Sequence, residues 1–112
     1  MTITKNKMYD HIITIVNVYA PTSERTNKFP NEIKEFYAQL SKITSDLKKL
    51  STSIVFIAGD FNSIVGKSTN VENCLGKYTT GVRNDNGKRL IFFCEDNNKF
   101  ICNSAFKNNL RT

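Results

Sequence analysis

Ile54-Val55-Phe56-Ile57-Ala58-Gly59-Asp60-Phe61-Asn62 decides how this chain is read. Five apolar residues form a strand, Gly59 breaks it, and Asp60 and Asn62 follow at once. In extended backbone, residues two apart leave the same side of the chain. This spacing predicts a carboxylate and an amide at one site, with Phe61 turned back to the core. A carboxylate can take a proton or hold a hard cation, and an amide can donate to developing negative charge. Phosphate-ester chemistry uses both. A Gly-Asp turn with no chemistry explains the same residues equally well. The argument for chemistry is placement, because α/β sheets gather ligands at the carboxyl ends of their strands.

Upstream, His11 to Tyr19 (HIITIVNVY) is a β-branched apolar run that reads as a strand buried on both faces. Pro21 ends it. Residues 1–10 read as a ragged entry, and Thr22 to Pro30 as a polar loop. From Asn31 to Leu50, apolar residues at Ile33, Phe36, Tyr37, Leu40, Ile43, Leu47 and Leu50 recur at helical steps. That helix covers a sheet and carries no chemistry. Strand, helix, strand in this order predicts a crossover in an α/β fold. Tyr19 and Asp60 then open onto one rim. A tyrosine there can bind a phosphate oxygen or be a core aromatic. Asn17, two residues before Tyr19, points the same way.

Ser63 to Asn86 is long, polar and aperiodic, which suits a functional surface loop or a flexible one. Lys88 to Asn98 predicts a second helix with Leu90, Phe93 and Cys94 inward and a cap among Asn84, Asp85 and Asn86. Phe100 to Phe106 predicts a third strand. In Gly81-Val82-Arg83-Asn84-Asp85-Asn86-Gly87, a guanidinium and several amides precede a helix N-terminus. Arg83 and Asn84 could meet a phosphate there; on the residues alone a capped turn with an exposed arginine fits somewhat better.

The 112 residues suffice for one small domain, and 39% are hydrophobic, which excludes a disordered chain. No apolar run approaches the ~20 residues that cross a bilayer. Sixteen Lys and Arg against ten Asp and Glu give a net charge of +6, which favours a polyanionic partner. The three cysteines, Cys74, Cys94 and Cys102, lack the spacing of a disulfide framework or zinc site. Cys94 and Cys102 read as buried thiols. Gly66-Lys67-Ser68 is no P-loop, because the first glycine of that pattern would fall at Phe61. With His11 as the single histidine, no Ser/His or Cys/His hydrolase set exists within the chain.

Asn17-Val18-Tyr19-Ala20-Pro21-Thr22, then a helix, then Ile57-Ala58-Gly59-Asp60-Phe61-Asn62 resembles the endonuclease/exonuclease/phosphatase superfamily. Gly81 to Gly87 with Lys88-Arg89-Leu90, and the Asn-x-Phe-Ile-Cys-Asn run, resemble the endonuclease domains of non-LTR retrotransposons and the craniofacial-development-protein-2-like sequences. The resemblance covers about Ile12 to Phe106. It implies the two-sheet α/β sandwich of the DNase I-like fold and phosphodiester hydrolysis of DNA with Mg2+ or Mn2+. By the same resemblance, Asp60 orients and deprotonates water and contacts the metal, while Asn62 and Tyr19 bind the scissile phosphate. From their own placement, Asn17, Arg83 and Asn84 are expected to bind substrate with Thr22. Thr22 departs from the Asn found there in apurinic endonucleases.

The resemblance also implies a metal-binding Glu upstream and a Ser-Asp-His ending downstream, and neither is in these 112 residues. The expectation is therefore the central portion of one domain, residues 1–112. Its metal should be weakly held, its activity weak or absent, and one sheet face should be left apolar and open. The expected setting is intracellular and nuclear, as a monomer on DNA, with no membrane and no obligate protein partner. A non-catalytic remnant that binds nucleic acid weakly, or a phosphoesterase for another substrate, are the alternatives.

Overall fold

In the computed structural model, residues 1–49, 53–67 and 72–105 are described. They form a mixed α/β arrangement with one three-stranded sheet. The chain divides into two compact units, Met1–Asn62 and a second beginning at Ser63.

The first unit holds strands β1 (Thr2–Met8), β2 (His11–Tyr19) and β3 (Ser53–Asp60), in the order β1-β2-β3. β1 pairs antiparallel with β2, closing a hairpin at Tyr9-Asp10. β1 replaces the expected ragged entry. Its alternating Thr-Ile-Thr-Lys-Asn-Lys pattern is that of an edge strand, too polar to stand out by hydropathy. β2 pairs parallel with β3, in the register Val16↔Ile57, Asn17↔Ala58, Tyr19↔Asp60. The helix between them is α2 (Pro30–Lys48), with Pro30 at its first turn, where a missing N–H costs nothing. It is preceded by a helix that the polar composition of residues 22–30 concealed, α1 (Ser23–Lys28). Thr22 caps α1, its Oγ1 accepting the Arg25 N–H at 3.1 Å. Arg25 then joins the two helices by a bidentate pair to Glu32, at 2.6 and 2.7 Å.

The core of this unit is one-sided. Thr14, Val16, Val18 and Ala20 are buried, as are Ile33, Phe36, Leu40, Thr44 and Leu47 of α2. The opposite face carries Ile13, Ile15, Asn17 and Tyr19 of β2 beside Ile54, Phe56 and Ala58 of β3. Ile54 remains 44% exposed and Phe56 52%. The expectation that His11–Tyr19 is buried on both faces is therefore corrected: continuous apolar sequence here makes one buried face and one open apolar face. Thr14 is wholly buried and its hydroxyl has no partner.

The second unit contains α3 (Asp85–Asp96) and a short 3-10 helix at Cys102–Ala105. The helix buries Leu90, Ile91, Phe93 and Cys94. The 3-10 turn stands where a third strand was expected; Phe106 lies outside the described residues. Ser104 explains the difference. Its carbonyl accepts the Tyr78 N–H at 2.9 Å, and its hydroxyl accepts the Gly76 N–H at 2.7 Å while donating to the Ile101 carbonyl at 2.6 Å. A serine that bonds its own neighbourhood favours a turn over a ladder. Cys102 is exposed, contrary to expectation, whereas Cys74 and Cys94 are buried. No helix among the described residues is long and apolar enough to cross a membrane.

Candidate functional site

The candidate site is the rim where β2 and β3 end side by side. Two adjacent parallel strands bring Tyr19 and Asp60 into register, so their Cα atoms lie about 4.8 Å apart by strand spacing. Both are exposed, Tyr19 by 72%. The phenol is thus no core aromatic. Asn17 is exposed two residues back along β2, in register with Ala58.

Gly59 makes the rim possible. Its φ is +138°, a conformation that L side chains rarely adopt, and a Cβ there would sit 1.9 Å from the Val18 carbonyl oxygen. Only glycine lets β3 approach β2 this closely and still turn out at Asp60. The chain beyond does not continue extended. Asn62 has φ +47°, and its N–H donates to Asp60 Oδ1 at 2.8 Å. This is an Asx turn, and it corrects the expectation that Asp60 and Asn62 project together by strand alternation. The Asn62 amide points to Ala20 instead, Nδ2 donating to the Ala20 carbonyl at 2.7 Å. Ala20 in turn donates its N–H to the Asp60 carbonyl at 2.8 Å.

Asp60 is the carboxylate of this rim. Among the described residues, no group of three or more His, Cys, Asp or Glu could hold a metal ion. A single exposed carboxylate, one oxygen of which already accepts an N–H, suits an ion shared with a phosphate and is too little to retain one alone.

Thr22 lies three residues beyond Tyr19 and its hydroxyl caps α1. Arg83 and Asn84 belong to the second unit. The Arg83 guanidinium donates to the Glu72 carboxylate, to the Val65 carbonyl and, at 3.2 Å, to the Lys67 carbonyl. The two side chains of the ion pair are 21% and 9% exposed. Hydrogen bonding to Glu72 raises the Arg83 pKa further above its ordinary value. Asn84 Oδ1 accepts from Gly87 N–H at 2.7 Å, capping α3, and from Ile64 N–H at 3.1 Å. Asn84 N–H returns a bond to the Ile64 carbonyl at 3.1 Å. The groups expected to receive an anion thus clasp the segment 64–67 onto the start of α3.

Sequence reasoning missed Glu95, the other organising group of this unit. Its Oε1 accepts the N–H groups of Asn73 and Cys74, at 2.8 and 3.1 Å. A hydrogen bond from the Cys74 thiol and those amides hold its pKa below the ordinary 4.5. Burial pushes Cys74 up to about 11 and Cys94 up to about 12. Nothing local in the sequence signals a contact 21 residues away.

Comparison with known proteins bears on the same segments. Craniofacial development protein 2 of Bos taurus is 34% identical over 95 residues, covering 85% of this chain and 15% of that protein. The two are homologous. The Tragulus javanicus protein of the same name is 33% identical over 95 residues, covering 85% of this chain and 16% of that protein. The chain spans about a sixth of the length of the curated relatives it matches. No protein-family model matches the chain. No solved structure matches it.

Proposed function

We propose that the Tyr19–Asp60 rim is the phosphodiester-binding edge of a DNase I-like sandwich whose substrate is DNA, in the manner of retrotransposon-type endonucleases. The observation that carries this reading is the parallel register that sets an exposed phenol beside an exposed carboxylate at two strand ends. The net charge of +6 suits a polyanion in the nucleus. The open apolar face around Ile54 and Phe56 is what a second packed sheet would cover.

In this reading Asp60 orients the attacking water and accepts its proton. The Tyr19 hydroxyl donates to a non-bridging phosphate oxygen as that oxygen gains charge. The bond to the 3′ oxygen breaks, the departing oxygen takes a proton from solvent to become a 3′-hydroxyl, and the phosphate stays on the 5′ oxygen. Positioning and electrostatic stabilisation are the terms that dominate such chemistry. A Mg2+ or Mn2+ ion held by Asp60 and the phosphate would neutralise developing charge. With one rim carboxylate, turnover by the chain alone is slow.

The test is nicking of supercoiled plasmid with Mg2+. Slow nicking that EDTA removes and Asp60→Ala abolishes supports the reading. Equal nicking by Asp60→Ala contradicts it. The same shortage of carboxylates favours a second reading, weak nucleic-acid binding without turnover. In that case binding falls steeply with salt and no nicking occurs.

A further inference from the structure

Three hydrogen bonds tie the two strand ends into one frame. Ala20 N–H donates to the Asp60 carbonyl at 2.8 Å, Asn62 N–H donates to Asp60 Oδ1 at 2.8 Å, and Asn62 Nδ2 donates to the Ala20 carbonyl at 2.7 Å. Ala20 is fully buried, so its carbonyl has no solvent to replace a lost donor. Asn62 is also in the left-handed region, at φ +47°, where asparagine is tolerated better than other side-chain-bearing residues. One residue thus meets two demands: a backbone that folds back on Asp60 and an amide that reaches across to β2.

We propose that Asn62 is a positioning residue, whose carboxamide latches the turn after Tyr19 to the turn after Asp60 and so sets the spacing of phenol and carboxylate. Its importance to the reaction rests on the phosphodiester reading above, but the latch itself is measurable without turnover. Tyr19 immediately precedes the latched Ala20, and Asp60 is held through both its main-chain carbonyl and its carboxylate. Loss of the amide loosens Ala20, and with it both the neighbouring Tyr19 and the Ala20 N–H bond to the Asp60 carbonyl that spaces the two groups. A side chain that merely touched phosphate would leave the free protein's rim unchanged when removed.

Two variants of the 112-residue chain separate the amide from the backbone. Asn62→Gly accepts the positive φ and removes the amide. Asn62→Asp keeps the shape and the φ preference but has no N–H to donate. Amide hydrogen exchange should show Ala20 exchanging about tenfold faster in both variants, as expected for one lost hydrogen bond to a buried carbonyl. Val16, in the middle of β2, should keep its protection. The ring signals of Tyr19 should shift while those of Tyr78, in the second unit, stay put. Wild-type exchange at Ala20 in both variants overturns the proposal. So does equal loss of protection at Val16, which would make Asn62 a general stabiliser of the sheet. A wild-type chain that nicks no DNA counts against the phosphodiester reading, while the latch stands or falls on Ala20 and Tyr19.

Discussion

The strand-end rim and the α3 cap look alike in sequence and differ in what their polar groups do. Each follows a glycine and offers a charged side chain with an asparagine within two residues of it. At the rim, Tyr19 and Asp60 remain exposed, and the asparagine turns inward to hold the frame. At the cap, Arg83 lies on Glu72 and two carbonyls, and the Asn84 side chain accepts the Gly87 N–H of α3 and the Ile64 N–H. Helix starts have orphan donors that the chain itself must meet. Ends of paired parallel strands have no such demand on their side chains, so polar groups stay exposed there.

The rim can be broken at its chemistry. On the phosphodiester reading, Asp60→Asn should lower Mg2+-dependent nicking by at least about 100-fold, since it would remove the proposed proton acceptor and cation ligand together. The melting temperature should move little, because the side chain is exposed. Gly59→Ala breaks the rim at its backbone. The new Cβ meets the Val18 carbonyl oxygen at φ +138°, so stability in urea should fall by about 3 kcal/mol.

The cap should respond in stability alone. Arg83→Met leaves the Glu72 carboxylate, 9% exposed, without its cation. The loss should be about 2–3 kcal/mol, reduced from a fully buried pair by the partial exposure of Arg83. Glu95 adds a pH dependence to the same unit. Its folded pKa is depressed, so its contribution is present above the unfolded value near 4.5 and disappears as pH falls through the lower folded value. Glu95→Gln should flatten the acid limb of the stability profile. The smallest effect is a gain. Thr14→Val removes a buried hydroxyl with no partner and should stabilise the sheet by about 1 kcal/mol.

Period and order were legible where burial dictates sequence. The step pattern of Ile33, Phe36, Leu40 and Leu47 marked α2, and strand-helix-strand order marked the parallel pair. Asn84 was among the capping candidates and is the cap. Polar elements were not legible. β1 and α1 are defined by pairing and by Thr22 capping, neither of which leaves an apolar pattern. At the site, the residues of the rim were visible in sequence but its geometry was not. Strand alternation assumes extended backbone, and the Asx turn at Asn62 ends it one residue after Asp60.

Plasmid nicking by wild type, Asp60→Asn and Arg83→Met, at a temperature where all three are folded, weighs the two regions directly. The account predicts that Asp60→Asn loses Mg2+-dependent nicking and Arg83→Met retains it within about twofold. Nicking that survives Asp60→Asn and disappears with Arg83→Met would move the site from the rim to the cap and contradict the account.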